Sequence, residues 1–323
     1  MDSPRYTVII PMLRFAANEP ALTSLREMPP PAGGIEILVA EGAQPSRQRN
    51  AALERARGEI ILFLDNDCRL APGFWTELEG VFARPEAEIT GGPARLRPNA
   101  GAGEEIFHAL LTHALIVGTI SSRYAPRGHF RPAWQTELIL CNLAARRSVF
   151  QKIGVFSPQL YPSEENEWLD RARMAGIGIY YHPGIQIFRP QRDTWRQMGK
   201  MLLRYGMGRT RQFQVSGWRP TFHQILPLLL IAVIFAVIYC HLEIPFAALW
   251  LTASVIIAFT CDARLRWWQR LVAGLAAPLV PIVFTTGQII GWIRLLFPPS
   301  AVDTPIVILN ERGERIPDGP PIS

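Results

Sequence analysis

Residues 60–67 have the sequence IILFLDND, in which five consecutive apolar residues are followed at once by Asp65 and Asp67, two positions apart. An apolar run without alternation is typical of a strand that is buried on both faces, as in the middle of a parallel sheet. In an open α/β sheet, ligands bind outside the carboxyl ends of the strands. The stretch therefore predicts a buried strand that presents two carboxylates at a binding edge.

Similar strand and helix patterns surround this stretch. Residues 6–11 (YTVIIP) and 35–40 (IEILVA) are rich in β-formers and apolar residues, and helical patterns lie between the strands. Their alternation predicts a Rossmann-like, doubly wound α/β domain. The expected helices are 18–28, 47–57, 72–82, 104–121 and 163–175, and the further expected strands are 137–145, 177–181 and 185–188.

The two aspartates have two interpretations. Neighbouring carboxylates repel each other and lose hydration at such an edge. A hard divalent cation such as Mg²⁺ or Mn²⁺, bridging a diphosphate, would compensate for that cost. The same side chains could instead cap an Asx-type turn after the strand. Taken alone, the triplet Asp65-Asn66-Asp67 favours the turn.

The last third of the chain is apolar. Hydrophobic residues make up 49% of the chain, and nearly all of the excess follows Phe222, in stretches at about 225–240, 244–261 and 271–293. Because a bilayer core is crossed by about 20 apolar residues, the first two stretches predict a transmembrane hairpin. Pro278 and Pro281 leave the third open as a kinked span or a re-entrant pair of half-helices.

Charge predicts the orientation of the hairpin. The turn at 241–243 contains no Lys or Arg, whereas the loop at 262–270 contains Arg264, Arg266 and Arg270. By the positive-inside rule, that loop is cytoplasmic, and the N-terminus lacks a signal-peptide pattern. We therefore expect a multi-pass protein of the inner (cytoplasmic) membrane with its α/β domain in the cytoplasm. The third apolar stretch leaves the side of the C-terminal tail open.

Composition narrows the classes of partner. The formal net charge is +6, and basic residues cluster at 189–219, immediately before the apolar stretches. This placement favours an anionic membrane surface or a phosphorylated substrate, and nucleic acid is not expected, since no nucleic-acid-binding motif accompanies the charge. The four cysteines are widely separated and form no CxxC pair, so neither a disulfide framework nor a zinc site is indicated.

Residues 49–67 (RNAALERARGEIILFLDND) resemble the signature RN-x-x-x-x-x-A-x-G-E-x-x-x-F-L-D-x-D of family 2 glycosyltransferases. Further matches occur in the same order along the chain, over residues 6–211. They are VIIP at 8–11, N-x-A-x-R at 142–146, x-G-x-F at 153–156 and an acidic pair followed by Arg at 164–171. The resemblance implies the GT-A fold, a nucleotide-diphosphate sugar as donor, with a UDP-sugar expected first, and Mg²⁺ or Mn²⁺ as cofactor.

The resemblance also implies roles for individual residues. Asp65 would lie near the ribose, and Asp67 would ligate the metal on the diphosphate, with Asp65 beside it. Glu165 occupies the position of the base that activates an acceptor hydroxyl for in-line displacement with inversion, and Glu164 is a possible substitute. The positions expected to contact the nucleotide-sugar are Pro11, Glu41, Arg49, Asn50, Asp65, Asn66, Asp67, Asn142 and Arg189.

Three positions depart from the family pattern. The base position is Glu165 rather than Asp. At the end of the second strand, residues 39–43 are VAEGA where relatives have VDDGS, which leaves Glu41 as the only acid at that motif. Many relatives carry a metal-binding His at the position of Arg189. Arginine cannot ligate a metal, but it can pair with a diphosphate.

The sequence thus predicts a GT-A domain at 1–215 with an interface helix at about 193–215, two to three transmembrane helices within 222–297, and a tail at 298–323. The expected activity is inverting transfer of a sugar to a lipid-linked glycan at the cytoplasmic membrane face. One alternative acceptor is a polyprenyl phosphate, whose oxygen needs no base. An alternative of another class is a catalytically silent membrane scaffold with the same fold.

Overall fold

The computed structural model of the protein describes residues 3–217, 222–296 and 304–317, without the side chains of 222–225. The first two residues of the predicted domain and both ends of the predicted tail, 298–303 and 318–323, lie outside the described residues.

The described residues form strands in two sheets. In chain order the strands are β1 (Tyr6–Met12), β2 (Ile35–Glu41), β3 (Ile60–Leu64), β4 (Arg69–Leu70), β5 (Ile89–Gly91), β6 (Ala94–Leu96), β7 (Arg131–Pro132), β8 (Asn142–Arg146), β9 (Ile179–Tyr181), β10 (Ile187–Arg189) and β11 (Val307–Leu309).

The helices alternate with these strands and then continue without them. They are α1 (Pro20–Glu27), α2 (Pro45–Leu53), α3 (Phe74–Phe82), α4 (Ala102–Thr112), α5 (Ala114–Val117), α6 (Arg147–Ile153), α7 (Glu164–Met174), α8 (Trp195–Val215), α9 (Phe222–Tyr239), α10 (Glu243–Thr260), α11 (Trp267–Ala276) and α12 (Leu279–Leu295), with a 3₁₀ turn at Gly118–Arg123.

The larger sheet has the strand order β11-β2-β1-β3-β8-β5-β9-β7. β1 pairs in parallel with both β2 and β3, and all residues of β1 and β3 are buried. The prediction of a buried central strand at 60–64 is therefore confirmed. The sheet is mixed rather than wholly parallel, because β8 runs antiparallel to both β3 and β5. The predicted strand at 137–145 forms only from Asn142 onward.

The chain divides into two compact units. The sheet unit comprises Met1–Arg97, Ser122–Pro190 and Ala301–Ser323, and the helical unit comprises Pro98–Ser121 and Gln191–Ser300. This division differs from the boundaries expected from sequence, because residues 98–121 group with the apolar helices and the tail groups with the sheet. The predicted helix at 104–121 is interrupted at His113, whose backbone is extended, and at Gly118, which has a positive φ.

An aromatic cluster in the sheet unit fixes the position of α7. Trp168 of α7 is fully buried, stacks on Phe150 at 4.7 Å between ring centroids, and packs against Phe156. Phe156 in turn packs edge-on against Phe63 of β3. The indole N–H of Trp168 donates to the carbonyl of Gly154 at 2.9 Å. These contacts tie α7 to the strand that carries Asp65 and Asp67.

Within the helical unit, α8 and α12 pack closely along one another. A Cβ atom on Gly206 of α8 would collide with the carbonyl of Phe284, and one on Gly287 of α12 would collide with the carbonyl of Leu203. Thr210 donates to the carbonyl of Gln288 at 3.0 Å. Small residues at such contacts allow helix backbones to approach one another closely.

Among the described residues, two helical segments have the length and hydropathy of a membrane span. They are Glu243–Thr260, of which 17% is buried, and Trp267–Leu295, in which 44% of the qualifying 18-residue window is buried. Leu226–Tyr239 is a shorter apolar helix. The segment Ala102–Arg123 is apolar enough only when its two parts, bent by 60°, are counted together. The prediction of apolar C-terminal helices is confirmed.

The C-terminal tail belongs to the sheet. β11 pairs antiparallel with β2, with Val307 opposite Glu41, and Ile308 is buried there. Ile316 N–H donates back to the carbonyl of Ile308 at 2.9 Å. A strand that follows the apolar helices therefore completes a sheet that begins before them.

Replacing Ile308 by Asp should detach the tail, because the new carboxylate would be buried without a partner. Limited trypsin digestion of the detergent-solubilised protein should then cut faster at Arg312 and Arg315. Pro305→Asp places the same charge at an exposed position and should leave the digestion rate unchanged. Equal rates in the two variants would contradict the pairing.

Candidate active site

Asp65 and Asp67, the two aspartates predicted to bind the ligand, lie at the carboxyl edge of the larger sheet. β3 ends at Leu64, and the chain turns at Asp65, whose carbonyl accepts from Cys68 N–H at 3.2 Å. The carbonyl of Asn66 accepts from Ala21 N–H at the start of α1 at 3.1 Å. The side chains of Asp65 and Asp67 remain 27% and 34% exposed. They are therefore accessible to a ligand.

Two arginines compensate the charge of this acid pair. Arg49 of α2 is buried and donates to Asp65 Oδ1 at 2.9 Å and to Glu164 Oε1 at 3.0 Å. Arg189, at the end of β10, lies 3.3 Å from Asp65 Oδ2 and donates to Asp67 Oδ2 at 3.2 Å. The Asp65 carboxylate thus has both oxygens paired with guanidinium groups. The structure brings together Asp65, Asp67, Arg49, Arg189 and Glu164, which we call the ionic cluster.

The two candidates for the catalytic base, Glu164 and Glu165, lie on the first turn of α7. Glu164 and Glu165 are both buried, where the positive end of the helix dipole favours carboxylates. Ser163 precedes them with a φ of 95°, and its side chain does not cap the helix. At this position a left-handed backbone replaces the extended conformation of an N-cap.

Glu164 has a shifted pKa. Burial, and after it the nearby charge of Glu165, raise the pKa of this carboxyl from its usual 4.5 to about 7, while Arg49 opposes both. A carboxyl with a pKa near 7 holds its proton through the acidic range and can exchange it near neutral pH.

Arg123 binds Glu165, the other acid of the pair. It was not among the site residues predicted from the sequence. Its guanidinium donates to Glu165 Oε1 at 3.2 Å, to Asn166 Oδ1 at 2.7 Å and to the carbonyls of Thr136 and Gln135. Glu165 Oε1 also accepts from Asn166 Nδ2 at 3.0 Å. The loop at 123–134 could be recognised as irregular and rich in Arg, but its sequence does not indicate which Arg turns inward.

Four predicted contact residues lie apart from the ionic cluster. Asn50 exchanges hydrogen bonds with the backbone of Phe156 at 2.8 and 3.2 Å. Glu41 accepts from the N–H of Phe15 at 2.8 Å, which orders the loop after β1. Asn142 is fully buried and donates to the carbonyl of Ile185. Pro11 is a buried residue of β1, opposite Ala40 of β2.

The chain is similar in sequence to known glycosyltransferases. The profile of Glycosyl transferase family 2 matches residues 25–158. Glycosyltransferase AglE of Haloferax volcanii is 24% identical over 186 residues, which are 57% of this chain and 55% of that protein. The chain therefore spans about half the length of this curated relative.

A solved structure resembles nearly the whole chain. Mannosyltransferase PcManGT from Pyrobaculum calidifontis, in complex with GDP-Man and Mn²⁺, superposes with a TM-score of 0.52 over 93% of this chain and 89% of that one, at 16% identity. At this identity the likeness shows the fold alone.

The α/β sheet with an acid pair at its carboxyl edge, together with this likeness, defines a domain of the GT-A class. The profile match includes Arg49, Asn50, the strand β3 and both aspartates. Residues 25–158 of this domain are thus similar to glycosyl transferase family 2.

The pKa of Glu164 predicts how stability depends on pH. Because the folded-state pKa of about 7 lies above the usual 4.5, the contribution of this group is fully present below pH ~4.5 and is lost as the pH rises through ~7. Thermal unfolding in detergent should show wild type losing stability relative to Glu164→Gln between pH ~5 and ~8. The loss is at most about 3 kcal/mol, since one pKa unit is worth about 1.4 kcal/mol. Parallel pH profiles would contradict the assignment.

Proposed function

We propose that this chain is an inverting glycosyltransferase that moves a sugar from a nucleotide diphosphate to a lipid-linked glycan at the cytoplasmic face of a membrane. The observation that carries the proposal is the ionic cluster at the carboxyl edge of a domain similar to glycosyl transferase family 2. The apolar helices that follow the domain favour an acceptor that resides in the membrane.

We assign the binding of the nucleotide-sugar donor to Asp65, Asp67 and Arg189. Carboxylate oxygens are the ligands that Mg²⁺ and Mn²⁺ prefer, and both aspartates are partly open to solvent. Among the described residues no group of three or more His, Cys, Asp or Glu side chains could hold a metal. From the described part of the chain the two aspartates would be the metal ligands, and the diphosphate and water would supply the others. A bound metal neutralises charge that develops on the leaving diphosphate.

Arg189 offers a further cation to the same group. Its planar guanidinium matches a phosphate with two parallel hydrogen bonds. The negative charge that grows on the departing nucleotide would be stabilised by this side chain at the edge of the sheet. The nucleotide is expected to be UDP, and the relative in complex with GDP-Man makes GDP-sugars the second class of donor to test.

We assign the activation of the acceptor to the first turn of α7. Glu165 would accept the proton of an acceptor hydroxyl while that oxygen attacks the anomeric carbon from the face opposite the nucleotide. Arg123 and Asn166 hold its carboxylate in one orientation. Glu164 is less suited, because its side chain is only 3% exposed, against 9% for Glu165.

A polyprenyl phosphate is the second candidate acceptor. The observation that favours it is that Glu165 Oε1 already accepts from both Arg123 and Asn166. Two donors therefore already engage one of the oxygens that would take the acceptor's proton. An acceptor oxygen that is already ionised would need no base.

Replacing Glu165 by Gln separates the two acceptors. With a hydroxyl acceptor, transfer should fall by about 10²–10⁴-fold, the usual contribution of a general base, while donor binding is retained. Glu164→Gln is the matched control and should reduce transfer by less. Rates would be measured with polyprenyl phosphate and with a polyprenyl-diphosphate-linked sugar, each offered with UDP- and GDP-sugars.

Full activity of Glu165→Gln on polyprenyl phosphate would favour the second candidate. Absence of binding to every donor, with and without Mn²⁺, would instead support the scaffold alternative and contradict the proposed enzyme.

The sheet also bears on membrane topology. The segments before and after the apolar helices share one sheet through β2 and β11. They must therefore lie on the same side of the membrane, and the number of crossings between them must be even. We propose that α9 and α10 cross and that α11 and α12 return on the cytoplasmic side.

Three observations support this choice of helices. The loop between α10 and α11 carries Arg264 and Arg266, which favour the cytoplasmic side. α12 packs along α8, a helix with five Lys or Arg residues within Trp195–Val215, and charges at that density are too costly for a bilayer core. α11 and α12 are also separated at Pro278.

The native cysteines provide a topology assay. Cys240, at the turn between α9 and α10, is exposed, whereas Cys68, Cys141 and Cys261 are buried. A membrane-impermeant maleimide should therefore label the wild-type chain in intact bacterial cells, and Cys240→Ser should abolish the signal. In that background, Arg264→Cys and Glu311→Cys should be labelled only in inverted vesicles. Labelling of Glu311→Cys in intact cells would contradict an even number of crossings.

A further inference from the structure

Arg189 occupies the place where a metal would meet the acid pair. Its Nη1 lies 3.3 Å from Asp65 Oδ2, and its Nη2 donates to Asp67 Oδ2 at 3.2 Å. Nη1 also donates to Cys141 Sγ at 3.2 Å, and the side chain is only 20% exposed. One guanidinium therefore bridges the two carboxylates across the triplet.

A divalent cation needs the same oxygen atoms. The guanidinium already pairs with Asp65 Oδ2 and Asp67 Oδ2, and Arg49 pairs with Asp65 Oδ1. Two cations placed a few ångströms apart repel each other, and the repulsion is stronger where water is partly excluded. The metal and Arg189 would thus compete for the acid pair.

The charge balance at Asp65 and Asp67 disfavours the binding of a metal ion in the absence of nucleotide. Two aspartates face two guanidinium groups, so the carboxylates are already compensated. A metal would have to displace Arg189, and the displaced guanidinium would need another anion. A nucleotide diphosphate is such an anion, since its oxygens fit the guanidinium with two parallel hydrogen bonds.

We propose that Arg189 exchanges partners when the donor binds. Without nucleotide it neutralises Asp65 and Asp67 and keeps metal affinity low, and with nucleotide it moves to the diphosphate and leaves Asp67 to the metal. Metal binding is then conditional on the donor, and by linkage each ligand raises the affinity for the other. This inference rests on the proposed donor site.

Arg189→Gln tests the exchange with two binding measurements that need no turnover. In the absence of nucleotide, Mn²⁺ should bind the purified full-length variant about tenfold more tightly than wild type, because the competing cation is gone. In the presence of EDTA, UDP or GDP should bind it about tenfold more weakly, because the diphosphate has lost its guanidinium. Both changes lie within the usual range of coupling between two sites. Free Mn²⁺ would be followed by electron paramagnetic resonance and nucleotide binding by calorimetry.

Two controls accompany the variant. Arg95→Gln removes the same charge from the neighbouring strand β6, where Arg95 contacts Gln186 and Phe188 rather than the aspartates. It should leave both affinities unchanged. Arg189→Lys retains the charge, so its Mn²⁺ affinity should stay closer to that of wild type than to that of Arg189→Gln.

The opposite direction of the two changes is diagnostic. A loss of folding would weaken both ligands together, and so would a purely structural role for Arg189. Mn²⁺ binding to Arg189→Gln no tighter than to wild type, with nucleotide binding preserved, would overturn the exchange alone. Failure of both proteins to bind Mn²⁺ or either nucleotide would overturn the donor site and the exchange with it.

Discussion

Two carboxylates placed two residues apart at the edge of a buried sheet are stable there only if cations compensate their charge. Asp65 and Asp67 satisfy this constraint with guanidinium groups from distant parts of the chain, one from α2 and one from the end of β10. Removing either arginine would leave a partly buried negative charge without compensation. The constraint thus couples the first βα units of the sheet to strands formed more than a hundred residues later.

The same constraint extends to α7. Arg49 pairs at once with Asp65 and with Glu164, so the donor edge and the first turn of α7 share one side chain. Trp168, Phe150 and Phe156 set the depth at which that turn meets the sheet. A change in the aromatic cluster would therefore move both acids of α7 relative to the aspartates. Packing and electrostatics determine this part of the site together.

The sequence was most informative where a structure depends on local pattern. The run at 60–64 predicted a buried central strand, and the strand is present. The antiparallel pairing of β8 was not predicted, since pairing direction depends on contacts far apart in the chain. The three-residue strand β11 in a tail rich in Pro and Gly gives no periodic signal. The turn of Arg123 toward Glu165 likewise depends on the folded loop.

The role of the acid pair can be measured by sugar release from a panel of UDP- and GDP-sugars, with Mn²⁺ or Mg²⁺, in wild type and in Asp67→Ala. Wild type should release sugar from at least one donor, and Asp67→Ala should lose that activity by a factor of at least about a hundred, the scale of a lost transition-state charge contact. Equal release by both proteins would contradict a donor site built on this acid pair.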